Sequence, residues 1–142
     1  VENFLEHKRS AQRDFRQEGE VKTAMLKMSA LDQKFLDKVI SIIEHNMKKG
    51  IDVDINTIAR EVGLSKSSFY RKIKLITDLS PVEFVKNIRL KHAYELLEGG
   101  ETSLDAIAYS TGFSGAKYLS TCFKEQFGIT PTEFLRKRGL VD

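Results

Sequence analysis

The most distinctive chemistry of this 142-residue chain lies in residues 65–74, which carry four basic side chains and no acidic one. The basic residues are Lys66, Arg71, Lys72 and Lys74. Lysine ammonium groups bind phosphates as point charges, and the planar guanidinium of arginine can donate two hydrogen bonds to O6 and N7 of guanine. The net charge of the whole chain is only +3. The local clustering of positive charge, rather than the bulk charge, therefore indicates a nucleic-acid partner.

Residues around this stretch predict how its cations are displayed. The Ser65 side chain can accept a hydrogen bond from a first-turn N–H and open a helix, in which Phe69 and Ile73, four residues apart, face the core. A shorter helix is predicted directly before it, because apolar residues recur there at helical spacing: Ile55, Ile58, Ala59 and Val62. A helix, a tight glycine turn and a basic helix are typical of helix-turn-helix units, which place the second helix in a DNA major groove.

A long helix is predicted next, over residues 81–98. Ser80 at the cap, Pro81 at the first helical position and Glu83 at the third form a strong start signal, and Gly99-Gly100 end the helix. Roughly 18 residues at about 1.5 Å each span about 27 Å. This is close to the roughly 34 Å of one turn of B-DNA, so elements at the two ends of the helix could reach successive major grooves.

The pattern of the first unit returns after this long helix. The matching positions are Ile58-Ala59 with Ile107-Ala108, Gly63-Leu64-Ser65 with Gly112-Phe113-Ser114, and Pro81 with Pro131. The second copy is one residue longer between its glycine turn and its proline. This internal duplication predicts an all-α fold of two helix-turn-helix subdomains joined by a long linker helix.

The same signals predict the organisation of the chain. Residues 1–28 are predicted to form a helical lead-in, and residues 29–142 the main domain. Its predicted parts are a first helix-turn-helix over about 54–78, a linker helix over about 81–98, a second helix-turn-helix over about 103–128 and a closing helix over about 131–138. A further helix is predicted to start near Ser29, with a core-facing stripe of Leu31, Phe35, Val39, Ile42, Ile43 and Met47.

These features resemble the DNA-binding domain of the AraC/XylS family of bacterial transcription regulators, over about residues 36–138. The most specific matches are Ile107-Ala108, Gly112-Phe113, Phe123-Lys124, Phe127-Gly128-Ile129-Thr130-Pro131 and Glu133-Phe134. The resemblance implies a homeodomain-like, AraC-type arrangement of two helix-turn-helix units on a linker helix. Double-stranded DNA is the implied partner, and neither a cofactor nor a small-molecule ligand is expected in this part of the protein.

The resemblance also implies which side chains meet DNA. Base-edge contacts are expected from two groups, one on each reading helix: Ser67, Tyr70 and Arg71, and Ala116, Lys117, Ser120 and Thr121. Phosphate contacts are expected from four lysines: Lys66, Lys72, Lys74 and Lys124. Many family members carry arginine where Thr121 stands. The second helix is therefore expected to supply positioning contacts, or an apolar contact from Ala116 to a thymine methyl group.

More narrowly, residues 31–36 and 68–74 resemble the output end of hybrid two-component regulators, in which a receiver domain precedes the AraC-type domain. This implies a transcription activator that recruits RNA polymerase and can form a homodimer through the N-terminal segment or upstream domains. The expected location is the cytoplasm, with tethering to the membrane if the full-length protein carries a transmembrane sensor.

Catalysis is not predicted. The sequence contains no glycine-rich phosphate loop, no His and Cys at metal-ligand spacing and no nucleophile elbow. The single cysteine, Cys122, is expected to be a partly buried core residue, with a redox-sensing thiol as the alternative. The alternative function class is a helical protein-interaction module without sequence-specific DNA binding.

Overall fold

The computed structural model describes residues 29–50 and 54–141, and over these ranges the chain forms seven α-helices and no β-strand. In chain order they are α1 (Ala30–Lys48), α2 (Ile55–Glu61), α3 (Lys66–Thr77), α4 (Pro81–Glu98), α5 (Leu104–Thr111), α6 (Ala116–Phe127) and α7 (Pro131–Lys137). The predicted fold is confirmed, with α2–α3 and α5–α6 as the two helix-turn-helix units and α4 as the linker. The lead-in predicted for residues 1–28 lies outside the described residues. No described helix is both long and apolar enough to cross a bilayer.

Local capping signals set most of the helix starts. Six of the seven described helices follow a residue whose side chain accepts a hydrogen bond from a first-turn N–H: Ser29, Asp54, Ser65, Ser80, Ser103 and Thr130. Ser80 and Thr130 form full capping boxes, in which the Thr130 N–H donates to Glu133 Oε1 at 2.9 Å. The backbone and side-chain hydrogen bonds with Thr130 lower the pKa of Glu133, because they favour its charged form.

The helices enclose two hydrophobic cores that share α4. Its first half contributes Phe84, Val85 and Ile88 to the core of the first unit. Its second half contributes Leu90, Ala93 and Leu97 to the core of the second unit. Because successive parts of α4 face different cores, its buried residues do not follow the single stripe of a surface helix. The linker helix therefore connects the two units through packed side chains.

The core face of α1 differs from the prediction at Leu31, and it includes Leu36, which was not among the predicted core residues. Leu36, Val39, Ile43 and Met47 are buried, whereas Leu31 is 76% exposed, so the prediction that Leu31 lies in the core is wrong. The four buried residues are three or four positions apart and share one face. Leu31 lies five positions before Leu36, about 140° around a helix of 3.6 residues per turn, and its side chain points to solvent.

The extra residue of the second copy lies in the turn before α6. Helix α3 follows Ser65, but α6 follows Gly115, which has no side chain to cap the helix. The sequence comparison paired Ser65 with Ser114, and the structure instead pairs Ser65 with Gly115. Both α3 and α6 contain 12 residues, so Arg71 corresponds to Thr121.

Candidate nucleic-acid interface

Helix α3 is anchored by two apolar side chains and presents a polar face to solvent. Phe69 and Ile73 are buried in the core of the first unit, as predicted. Phe69 also meets Phe35 of α1 edge-on, with 6.2 Å between the ring centroids. The residues expected to face DNA are exposed, apart from Lys72: Lys66, Ser67, Tyr70, Arg71 and Lys74. Their contacts with bases and phosphates remain predictions.

Lys72 lies apart from the other cations of α3. Its Nζ is 3.9 Å from Asp32 Oδ1 and 4.9 Å from the centroid of the Phe35 ring, so the side chain packs against α1. Lys72 directly follows Arg71, a step of about 100° around a helix. The structure therefore does not bring Lys72 together with Lys66 and Arg71. The phosphate contact of Lys72 remains a prediction, and we expect it to be weaker than that of Lys66.

Helix α6, like α3, is anchored by two buried apolar side chains and presents a polar face to solvent, but the side chains on that face are smaller. Leu119 and Phe123 are buried. The residues expected to face DNA lie on the opposite side, where Lys117, Thr121 and Lys124 are exposed and Ala116 and Ser120 are half-buried. The Thr121 hydroxyl donates a hydrogen bond to the Lys117 carbonyl oxygen at 3.1 Å.

The turn between α5 and α6 is covered by Tyr118. Its ring contacts Phe113 edge-on, with 5.8 Å between centroids. A side-chain hydrogen bond with Cys122 is the main cause that raises the pKa of Tyr118. Cys122 itself is buried in the second core, which confirms its assignment as a core residue.

Two further residues belong to this region and were not predicted. Thr130, the cap of α7, lines an open groove of about 420 Å³ together with Ser120, Thr121, Lys124 and Glu125. Arg89 of α4 packs against Gly112 in the second turn. The capping box repeated at Thr130 is a sequence signal from which its position next to the second reading helix could have been predicted. Arg89 has no such signal, because the turn that it contacts lies more than twenty residues later in the chain.

The cores of the two units sit on successive halves of α4, and each unit exposes the polar face of its second helix. Contacts between α1 and α5 join the units a second time. Over the described ranges, no three His, Cys, Asp or Glu side chains are placed to hold a metal ion. The arrangement defines a protein with two helix-turn-helix units held by one linker helix.

Comparison with known proteins identifies the family. The helix-turn-helix domain family matches residues 58–137, more than half of the chain. The chain therefore belongs to the AraC/XylS type of helix-turn-helix DNA-binding domains. Its fold is similar to that of the DNA-binding domain of AdpA, a global transcriptional factor whose structure was solved in complex with a target DNA. The TM-score is 0.64 at 26% identity, with 73% of this chain and 94% of that chain covered.

Two relatives are similar to this chain in sequence over most of its length. The chain is 32% identical to histidine kinase P4 of Formosa agariphila over 134 residues, which is 94% of this chain and 10% of that protein. It is 34% identical to the HTH-type transcriptional activator RhaS of Mannheimia succiniciproducens over 96 residues, which is 68% of this chain and 35% of that protein. The chain thus spans a small part of the first relative and about a third of the second.

Proposed function

We propose that this chain is the sequence-reading output domain of a transcription activator, in which α3 and α6 enter adjacent major grooves on one face of the DNA. The observation that carries the proposal is that two 12-residue helices with exposed polar faces are fixed to opposite halves of the 18-residue α4. Groove centres on one face of B-DNA recur about every 10 bp, or about 34 Å. The AdpA complex with a target DNA supports DNA as the partner of this fold.

The first unit makes more sequence-specific contacts with base edges than the second unit. Arg71 is exposed at the middle of α3 and can pair with O6 and N7 of a guanine, while Ser67 and Tyr70 contact neighbouring base edges. Lys66 and Lys74 contact phosphates on either side, which adds affinity without sequence information. In the second unit, Lys117 and Ser120 contact base edges and Lys124 a phosphate. The absence of acidic residues from α3 favours its approach to DNA.

The relatives support the regulatory context. The match to a histidine kinase along almost the whole chain supports an output role in two-component signalling, and the match to RhaS supports activation. In this role the domain acts in the cytoplasm, tethered to the membrane if the full-length protein carries a transmembrane sensor. It recruits RNA polymerase, and upstream segments pair two copies.

A helical protein-interaction module is the second candidate. The exposed apolar side chains Leu31 and Leu75 (86% exposed) favour it, because such residues are common in protein contacts. Salt dependence separates the two functions. Each phosphate neutralised by the protein contributes about 0.9 to the slope of log affinity against log salt concentration. An apolar protein interface has a much smaller slope.

The decisive experiment selects bound sites from a random DNA pool with the wild type, Arg71→Ala and Lys38→Ala. Lys38 is an exposed cation on α1, the helix that contacts the inward side of α3. We expect the wild type and Lys38→Ala to enrich the same motif. Arg71→Ala should lose discrimination at one or two positions, including a guanine. Failure of the wild type to enrich any motif at modest salt would contradict sequence reading.

A further inference from the structure

We propose that the second unit recognises thymine by its 5-methyl group and that Thr121 is the residue that sets this specificity. This inference rests on the proposed function, in which α6 lies in a major groove. It goes further by assigning a base and a chemical group to one side chain. The two reading helices would then recognise different bases by different chemistry.

The register of the two helices places Thr121 at the position of Arg71. Both helices contain 12 residues, and α3 begins at Lys66 where α6 begins at Ala116. Arg71 and Thr121 are therefore each the sixth residue of their helix. The first unit presents a long guanidinium at this position, and the second presents a short side chain with one methyl group.

The hydrogen bond of Thr121 determines what it can offer to a base. Its hydroxyl proton is donated to the Lys117 carbonyl oxygen at 3.1 Å. The side chain is nevertheless exposed, so it offers a methyl group and oxygen lone pairs to a base but no unused donor. Thymine presents a methyl group in the major groove, and threonine and alanine methyl groups make apolar contact with it.

The other side chains on this face leave room for such a contact. The other side chains on this face are Ala116, Lys117, Ser120 and Lys124. None of them is Arg, Asn or Gln, and Lys117 is the one expected at a base edge that can bind O6 and N7 of guanine. Gly115, directly before α6, has no side chain, and a β-carbon built there would have no atom within 4 Å. Helix α6 can therefore approach the base edges more closely than α3, where Tyr70 and Arg71 replace Ser120 and Thr121.

The test uses the DNA site selected by the wild-type protein. Each thymine in the half that α6 contacts is replaced in turn by deoxyuridine, which removes the methyl group and keeps every hydrogen-bonding group of the base. Affinity for the thymine site divided by affinity for the uracil site is measured for the wild type, Thr121→Ser and Thr121→Val. Because this ratio is taken within one protein, a partial loss of folded protein cancels.

We expect one uracil position to weaken binding of the wild type about four-fold, the equivalent of about 0.8 kcal/mol for one buried methyl-sized group. Thr121→Val keeps a methyl group and should retain this ratio. Thr121→Ser keeps the hydroxyl but has no methyl group, and its ratio at that position should fall to about one.

Three outcomes would overturn the inference while leaving sequence reading intact. They are a second half-site without thymine, a wild-type ratio of one at every thymine, and an unchanged ratio in Thr121→Ser. A wild type that enriches no motif would instead contradict the proposed function itself. The two failures are therefore distinguishable.

Discussion

Arg89 of the linker helix and Gly112 of the second turn pack so closely that a β-carbon at position 112 would lie 3.2 Å from Arg89 Nε. Gly112 also has a φ of 82°, in the left-handed region that disfavours side chains. Gly63 in the first turn also has a left-handed backbone, with a φ of 77°. It has no contact like that with Arg89, because a β-carbon built at position 63 would have no atom within 4 Å. Arg89 therefore fills the space beside the second turn that a side chain at position 112 would need.

Gly112→Ala should therefore destabilise the domain more than Gly63→Ala. Both variants carry the left-handed backbone cost, roughly 1–2 kcal/mol for a residue with a β-carbon. Gly112→Ala must in addition displace the Arg89 guanidinium. Urea unfolding followed by circular dichroism gives the free energy of unfolding of each variant. Equal losses in the two variants would show that the Arg89 contact does not constrain the turn.

Lys66 and Lys72 carry the same charge on the same helix, but we expect them to differ in DNA binding. Lys66→Gln should lower the slope of log affinity against log salt concentration by about 0.9, the value for one phosphate contact. Lys72→Gln should lower it less, because the Lys72 ammonium is 3.9 Å from Asp32 and lies over the Phe35 ring. Fluorescence anisotropy at several salt concentrations measures both slopes, with Lys38→Gln as the control. An equal drop for both lysines would contradict the distinction.

Thr77 and Thr111 form a matched pair of buried threonines, each 1% exposed. Each hydroxyl donates to the carbonyl oxygen four residues earlier at 2.7 Å. Thr77 Oγ1 also accepts a hydrogen bond from the Leu79 N–H at 3.1 Å. Thr77→Val should therefore cost more stability than Thr111→Val.

The free energy of unfolding of Thr77→Val should be about 1–3 kcal/mol lower than that of Thr111→Val, because the buried Leu79 N–H loses its acceptor. Thr111→Val changes the shape little and leaves no donor newly unsatisfied, so it serves as the control. Thermal and urea unfolding of both variants measure the two losses. If Thr111→Val costs as much as Thr77→Val, the hydrogen bond to Leu79 does not stabilise the end of α3.

Glu133 makes the stability of the second unit depend on pH. The hydrogen bonds with Thr130 lower its pKa in the folded state. A carboxyl group with a lowered folded pKa stabilises the fold above its unfolded pKa, and this contribution is lost as pH falls through the folded pKa. The loss should therefore begin as the pH falls toward the usual glutamate pKa of about 4.3 and continue below it.

Glu133→Gln should reduce the acid dependence of stability, because glutamine can accept the Thr130 N–H bond without titrating. Urea midpoints at pH 7 and at progressively lower pH, compared with those of Glu61→Gln on α2, measure this effect. An acid dependence that is the same in wild type and Glu133→Gln would exclude a contribution from this carboxyl group.

Signals within a few residues of each other were sufficient to predict most of the fold. Ser65 and Ser80 cap the helices that they were predicted to cap, because a cap and the N–H group that donates to it lie in the same turn. Phe69 and Ile73 are buried as predicted, because their spacing fixes a common face. The internal duplication then indicated that the chain contains two helix-turn-helix units.

Features that depend on distant residues could not be predicted in the same way. The sequence groups Lys72 with the other cations of α3, but its side chain packs against Asp32 and Phe35 on another helix. The sequence pairs Ser65 with Ser114, but α6 begins one residue later, after Gly115, because the extra residue of the second copy lies in the turn. Contact between Arg89 and Gly112 has no signature in the spacing of either residue.

The division of α4 between two cores also has a consequence during protein synthesis. Leu90, Ala93 and Leu97 leave the ribosome before Leu119, Phe123 and Leu135, the residues that cover them in the finished core. Until then the nascent chain carries an apolar surface with no partner, and such surfaces promote aggregation. The core of the first unit contains no buried residue after Ile88, so all of its members leave the ribosome before the second core is complete. Translation therefore completes the residues of the first core while the second half of α4 still lacks the side chains that will cover it.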